Sequence, residues 1–375
     1  MNIESLLEQF DTGEMSALIG LAIGLTFGIF AQQSRFCLRA ACVEFWRGQT
    51  GKKFSIWLLA FAAAMIGTQY FIGTGAIDTG QIRQLNNAGS MSGAIIGGLM
   101  FGAGMVLAGG CASRLLVLSA TGNMRTMVAG LVVTIVAQAS LRGGLSPVRE
   151  EISSWWLVDG SSRSFAQWLP PYGGLMLGVG LLVVALWLAK RHEVSKWWSF
   201  AAVITGLSVA MGWALTSWQA SNSFDLVAVK SVSFTGPSAD TLMGLINQPH
   251  LPLSFDVGLI PGVFLGALLA ALLTREFKWQ KFTNDSGFTR FFIGAALMGF
   301  GGMLAGGCAV GAGVTGGAVL LITAWVALFS MWIGAGVADW LVDRKADALK
   351  AAAAAHIAEA GLPQFAKATN PVQVS

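Results

Sequence analysis

Long runs without a charged residue alternate along the chain with short segments in which charges cluster. Eight runs lack Asp, Glu, Lys and Arg, and they cover 15–34, 54–77, 84–113, 126–141, 164–189, 197–224, 257–274 and 291–338. A helix needs about 20 apolar residues to cross the hydrocarbon core of a bilayer. The pattern predicts a chain that is helical in its hydrophobic runs and crosses a membrane many times.

The last run is too long for one crossing. It has 48 residues and would form a helix of roughly 72 Å at 1.5 Å per residue, more than twice the ~30 Å of a hydrocarbon core. The run must therefore turn back inside the membrane, near its glycine-rich centre. We predict an all-α polytopic membrane protein with about nine transmembrane helices.

Composition agrees with this fold class. Of the 375 residues, 54% are hydrophobic and 11% are charged, whereas a soluble domain carries roughly 25% charged residues. The net charge of +4 is small and dispersed, which argues against nucleic acid as a partner. A water-soluble fold is nearly excluded, and the bilayer itself is the first predicted partner.

The basic residues predict the orientation. Lys and Arg cluster after the first, fifth and seventh runs, and such loops are typically cytoplasmic. The segment before the first run is acidic and lacks the basic region of a signal peptide. We expect this N-terminus to be periplasmic, residues 1–342 to form the transmembrane domain, and residues 343–375 to form a cytoplasmic tail.

An internal repeat divides the transmembrane domain. Residues 97–112 read GGLMFGAGMVLAGGCA and residues 294–309 read GAALMGFGGMLAGGCA, with nine of sixteen positions identical. We predict two pseudo-symmetric halves, about 15–190 and 197–342, a common plan in transporters. In the charge-derived topology, the spans that end in these two blocks run in opposite directions.

A second, weaker internal similarity concerns two glycine series. Their members recur every fourth residue, and they are Gly20, Gly24, Gly28 and Gly258, Gly262, Gly266. Such stripes allow helix backbones to approach closely. The two spans run in the same direction in the predicted topology, unlike the spans that end in the repeat blocks. Either one span is therefore miscounted or the similarity is generic glycine spacing.

Each repeat block ends in a glycine pair followed by a cysteine, in Gly109-Gly110-Cys111 and Gly306-Gly307-Cys308. Two glycines inside a span cost helix stability and permit unusual backbone angles, so we expect broken helices. Short half-helices over 112–120 and 309–318 would then begin inside the membrane. Their N-termini, each equivalent to roughly half a positive charge, favour a buried anion.

Four cysteines and two arginines complete the candidate chemistry. A transmembrane cysteine is often a small apolar filler, but the recurrence of Cys111 and Cys308 after the same glycine pair favours a chemical role. Cys42 follows Cys37 by five residues, which is no redox motif, and we interpret it as structural. Arg35 and Arg114 are either membrane anchors or attractors of an anion.

Three cysteine motifs in order resemble the YeeE/YedE sulfur-transport family: QSRFC at 33–37 and LAGGCA at 107–112 and 304–309. The resemblance implies an hourglass-shaped protein of the bacterial inner membrane in which Cys37, Cys111 and Cys308 hand thiosulfate inward through transient S–H hydrogen bonds. It also implies a small cytoplasmic sulfur-carrier protein as a partner. The chain has Ser34 and Arg114 where members of that family often have glycine.

We therefore expect a thiosulfate importer and not an enzyme. The predicted substrate-binding residues are Cys37, Cys111, Cys308, Gly110, Gly307, Arg35 and Arg114. The three histidines are far apart and none pairs with a cysteine at metal-ligand spacing, so we expect no metal and no cofactor. The alternatives are a transporter of another sulfur or selenium anion, or a membrane thiol oxidoreductase.

The charge-free runs also suggest a path without a cation at its centre. Helix dipoles and neutral thiols, which are weak donors, would then provide the selectivity for the anion.

Overall fold

The computed structural model describes residues 11–170, 172–223, 225–247, 249, 251–280 and 288–345, without the side chains of Ser161 and Ser162. Most of the structure is helical. The helices are α1 Thr12–Ser34, α2 Leu38–Trp46, α3 Lys52–Gly73, α4 Arg83–Asn86, α5 Met91–Leu107, α6 Ala112–Ala120, α7 Met124–Arg142, α8 Ser146–Ser154, α9 Gly173–Arg191, α10 Lys196–Asn222, α11 Thr235–Asn247, α12 Phe255–Leu273, α13 Phe288–Leu304, α14 Ala309–Gly316, α15 Ile322–Ala338 and α16 Asp339–Arg344. Two-residue strands β1 Gly89–Ser90 and β2 Leu157–Val158 pair antiparallel.

The described residues contain nine helical segments that are long and apolar enough to cross a membrane. This confirms the predicted all-α polytopic fold. The long run 291–338 is divided among α13, α14 and α15, so the chain does turn back within it.

One span starts later than its charge-free run. The run 164–189 predicted a crossing from Ser164, but α9 begins at Gly173. The preceding residues are occupied elsewhere, because Phe165 N–H donates to Leu320 O at 3.2 Å and Ser164 forms a bridge with Leu321. Apolar composition alone does not reveal this pairing.

Helices α1 and α12 pack in parallel along their glycine stripes. A Cβ at Gly20 would overlap Phe255 O, and one at Gly28 would overlap Val263 O. Residue numbers thus increase together along both helices. The spans were counted correctly, which leaves the alternative that the similarity is glycine spacing and not a repeat: each stripe is the surface against which the other helix packs.

Helices α5 and α13 pack antiparallel. A Cβ at Gly97 would lie 2.5 Å from Ala305 N, and one at Gly104 would lie 2.6 Å from Gly294 O. The two LAGGCA blocks therefore end helices that run in opposite directions, as predicted.

Helix contacts repeat between the two parts of the chain. The pair α1 and α12 corresponds to α10 and α3, and the pair α5 and α15 corresponds to α13 and α7. Helix α9 has α3 as its main neighbour. The half boundaries 15–190 and 197–342 stay a prediction.

Four short helices interrupt the bundle, and two of them were predicted. Helix α6 has the predicted bounds, and α14 is a π-helix over Ala309–Gly316 that continues as one α-helical stretch over 317–318, the predicted end. Its first turn is wide, because Gly313 N–H donates to Cys308 O at 3.4 Å, five residues back. Helices α2 and α11 were not predicted, since their charged residues made these segments resemble loops.

Ion pairs connect the end of the described chain to the rest. Asp339 is buried and accepts from Arg47 Nη2 at 2.7 Å and Arg344 Nε at 3.2 Å. Asp343 contacts arginines of α2 and α13. Residues 346–375, which form most of the predicted cytoplasmic tail, lie outside the described residues, as do residues 1–10.

The stability of the α1–α12 contact is testable with Gly258→Val. A Cβ at Gly258 would overlap Ala17 O, so the helices must separate. Overpacking of this kind costs about 3 kcal/mol or more. We expect a lower midpoint of thermal unfolding for the detergent-purified protein, measured by the monodisperse fraction that survives heating.

The matched control is Gly180→Val on α9, where a Cβ has no neighbour within 4 Å. This variant should unfold within a few degrees of the wild type. Equal losses in both variants would contradict the role of the glycine stripe.

Candidate functional site

Three cysteines occupy the same backbone position in three different short helices. Cys37 directly precedes α2, Cys111 precedes α6 and Cys308 precedes α14, each as the N-cap residue with an extended conformation. Helix N-termini expose unpaired backbone N–H groups and carry partial positive charge. The fold thus places each thiol where an anion is stabilised.

The residue two positions before each cysteine is left-handed. Arg35, Gly109 and Gly306 have φ values of 54°, 81° and 80°. Left-handed geometry ends the preceding helix and turns the chain, which is why glycine suits the two repeat blocks. Arg35 adopts the left-handed conformation although it is not a glycine. The turn is closed by Phe36 N–H, which donates to Ala31 O at 3.2 Å.

Helix α11 is a fourth short helix, and no cysteine precedes it. The extended segment before it is tied to neighbouring helices: Ser231 Oγ donates to Val209 O at 2.6 Å, and Thr315 Oγ1 donates to Val232 O at 2.6 Å. Phe234 then packs on Phe27, with ring centroids 5.3 Å apart. This segment therefore supports the beginning of α11 and the end of α14.

Cys37 and Cys111 lie close together. Their thiols are near enough to influence each other electrostatically, although 74 residues separate them in the chain. The Cys111 Sγ also lies 3.3 Å from Ser113 Oγ. Cys37 is 9% exposed and Cys111 is 1% exposed, so the pair is enclosed by protein.

A guanidinium belongs to the same cluster. Arg114 is 5% exposed and lies within electrostatic range of both thiols. Its Nη1 donates to Gln32 Oε1 at 3.4 Å. The expectation of a path without a cation is wrong here, because α6 returns Arg114 to the interior one turn after the break.

An acidic residue compensates part of this charge. Glu276 Oε2 accepts from Gln32 Nε2 at 3.0 Å, and Glu276 Oε1 lies 3.4 Å from Arg35 Nη2. Arg35 also stacks on Trp198, with the guanidinium carbon 5.4 Å from the ring centroid. Arg35 is thus linked to Arg114 through Glu276 and Gln32.

Cys308 stands apart from this cluster. It is 1% exposed, and its Sγ accepts from Gly311 N–H at 3.4 Å. In the described part of the chain, no hydrogen bond joins Cys308 to Cys37 or Cys111. The predicted site residues therefore form two groups, with Gly307 beside Cys308 and Gly110 beside Arg114.

Sequence reasoning missed Gln32 and Glu276. Gln32 is an amide inside an otherwise apolar run and is 6% exposed, and this polarity was the available signal. Glu276 lies among the basic residues that follow α12, so its sequence neighbours suggested an ordinary loop. Their joint position depends on the contact between α1 and the end of α12.

This arrangement can hold a small anion without a metal. The backbone N–H groups at the helix N-termini and the Arg114 guanidinium provide positive potential. Thiols donate only weak hydrogen bonds, which allows release as well as binding.

The chain matches known sulfur transporters along most of its length. The model of the sulphur transport family matches residues 33–337. The chain is 28% identical over 361 residues to the thiosulfate transporter TsuA of Escherichia coli (strain K12), covering 90% of this chain and 98% of that protein. It is also 28% identical over 345 residues to the thiosulfate transporter TsuA of Spirochaeta thermophila (strain ATCC 700085 / DSM 6578 / Z-1203), covering 87% and 99%.

The proximity of the two thiols predicts a specific cross-link. Mild oxidation of the full chain with copper phenanthroline should join Cys37 to Cys111, because only side chains that already lie close can meet disulfide geometry. Peptide mapping without reduction would identify the linked pair.

The Cys37→Ala variant is the control and should yield no linked peptide containing Cys111. A dominant link between Cys37 and Cys42, or one that involves Cys308, would contradict the described geometry.

Proposed function

The chain belongs to the sulphur transport family, and from this membership we propose that it is a membrane transporter that imports thiosulfate. The observation that carries the proposal is the enclosed cluster in which Cys37 and Cys111 lie close together beside Arg114, at the N-termini of α2 and α6. The multi-pass helical fold provides the path, and the two curated relatives are both named for thiosulfate transport.

The proposed membrane is the bacterial inner membrane. The N-terminus faces the periplasm and the C-terminus faces the cytoplasm, because the basic residues collect at the cytoplasmic ends of α1, α9 and α12. Thiosulfate then leaves the protein on the side of Arg35 and Glu276. A small cytoplasmic sulfur-carrier protein as the receiver is part of the proposal.

Physical chemistry explains why such a path needs these groups. An isolated dianion in a medium of low dielectric constant costs tens of kcal/mol. Broken helices reduce that cost by directing N–H groups and dipoles toward the anion, and Arg114 adds a full charge. Cys308 and the Cys37–Cys111 pair offer two separate sulfur donors, so the anion passes between sites rather than resting in one.

The substrate-binding residues of this proposal are Cys37, Cys111, Cys308, Gly110, Gly307, Arg35 and Arg114. The glycines contribute backbone geometry, the cysteines contribute weak donors, and the arginines contribute charge. Transport by this route changes no covalent bond in the substrate, so the proposal does not require catalysis.

One observation favours a second candidate. Two neighbouring thiols could exchange with a disulfide, as a membrane thiol oxidoreductase would require. That activity predicts a Cys37–Cys111 disulfide that forms and disappears with turnover, whereas thiosulfate transport leaves both thiols reduced.

Uptake of labelled thiosulfate tests the proposal in cells that lack other sulfate and thiosulfate importers. Cys37→Ala, Cys111→Ala and Cys308→Ala should each lower the initial rate about tenfold, the effect expected when a hydrogen bond of about 1.4 kcal/mol is lost. Excess selenate and sulfate as competitors would separate thiosulfate from related anions.

Cys42→Ala is the matched control, since Cys42 is fully buried in the apolar core. Its uptake should stay within twofold of the wild type at equal membrane abundance. Full uptake in all three cysteine variants would refute the proposed relay.

A further inference from the structure

A charged cavity lies beside the break between α5 and α6. It has a volume of about 440 Å³, and its lining includes Gly109, Arg39, Arg125, Arg290 and Asp343. These residues come from the α5–α6 break, α2, α7, the start of α13 and the end of α16. Arginines that only anchor a helix at the membrane surface extend toward lipid headgroups, whereas these three share one cavity.

The cavity lining carries more positive than negative charge. Asp343 forms ion pairs with two arginines: its Oδ2 lies 3.5 Å from Arg39 Nη2, and its Oδ1 lies 2.6 Å from Arg290 Nη2. Arg125 stacks on Phe291, with its guanidinium carbon 4.3 Å from the ring centroid. Three guanidiniums and one carboxylate leave an excess of two positive charges, which matches a divalent anion.

The arginines retain hydrogen-bonding capacity. The protein contacts of Arg39 and Arg290 use Nη2, and a guanidinium has five N–H donors. Among the residues that the structure describes, no acceptor is found for Nη1 of either side chain. Arg125 likewise has no carboxylate within 4.0 Å among those residues.

The cavity adjoins the thiol cluster. Gly109 is two residues from Cys111, and Arg39 is two residues from Cys37 and within electrostatic range of its thiol. The cavity at the opposite end of α15 differs, since its lining includes Gln69, Asn86 and Val319 and contains no charged residue. Of these two cavities, the one beside Cys37 and Cys111 therefore combines an excess of positive charge with proximity to these thiols.

We propose that this arginine cavity is a second anion site, where Arg39, Arg125 and Arg290 hold the transported divalent oxyanion as it leaves the Cys37–Cys111 pair. The inference rests on the proposed transport function. The site retains the anion on one face of the protein by charge, whereas the thiol cluster holds it by weak hydrogen bonds.

Arg125 offers the cleanest test. It takes no part in the Asp343 ion pairs, so its removal leaves no buried carboxylate unpaired. We compare thiosulfate transport in right-side-out and inverted membrane vesicles that contain the full chain. From the cavity face, Arg125→Gln should raise the half-saturating concentration about tenfold, which corresponds to about 1.4 kcal/mol.

From the opposite face, the same variant should change half-saturation less than twofold. Arg125→Lys keeps the charge and should recover most of the affinity. The matched control is Arg191→Gln, which also removes an arginine stacked on an aromatic ring, at 5.3 Å from the Trp187 centroid, but lies outside the cavity. It should leave both half-saturating concentrations unchanged.

The inference would be overturned if Arg125→Gln and the wild type had the same half-saturating concentration on the cavity face. It would also be overturned if the half-saturating concentration of Arg125→Gln rose equally on both faces. A second measurement separates this failure from that of the transport proposal. Equilibrium binding of labelled thiosulfate to purified protein that carries Cys37→Ala, Cys111→Ala and Cys308→Ala removes the thiol donors from the measurement, and adding Arg125→Gln should weaken this binding about tenfold. If vesicles show no transport but binding falls in this way, the anion site stands and the transport proposal fails; unchanged or absent binding overturns the site.

Discussion

A helix that breaks inside a membrane leaves backbone groups without water to bond, and this constraint organises the molecule. Irregular backbone at that depth is tolerated only within protein or beside an aqueous cavity. Here the chain breaks before four short helices, and each break is enclosed. Phe36 N–H bonds to Ala31 O, Gly307 N–H bonds to Gly302 O, and Val232 O accepts from Thr315. The three thiols stand at helix N-termini, where backbone N–H groups have no partner within the helix.

Close helix packing provides the enclosure. The glycine stripes of α1 and α12, and those of α5 and α13, remove side chains from the interfaces that surround the breaks. With no bulky residue between them, the backbones of these helices approach closely around the breaks. The high glycine content therefore has two uses: it turns the chain at Gly109 and Gly306, and it brings the surrounding backbones together.

The local sequence pattern predicted the spans and two breaks, because the length of a hydrophobic run and a Gly-Gly-Cys motif are both local properties of the sequence. It did not predict α2 and α11, since charged residues such as Arg39 and Asp240 were read as belonging to loops. The local pattern also did not predict the cluster around Arg114. Gln32 lies on α1, Arg114 lies on α6 and Glu276 follows the end of α12, so their proximity depends on how these three helices pack. The repeat blocks singled out Cys111 and Cys308 and the family resemblance added Cys37, but neither could indicate that Cys37 lies beside Cys111.

The seam between α1 and α12 also restricts how the molecule can move. Carbonyl oxygens of each helix lie against glycines of the other, in a register that repeats every four residues. A slide of one residue would bring a side chain onto a carbonyl oxygen along the whole length of the seam. Rigid-body rocking of one repeat against the other is a common route to alternating access, but at this interface it would have to disengage all of these positions together. The first and second parts of the chain are thus locked in register, and displacement of the short helices and their breaks disturbs fewer contacts.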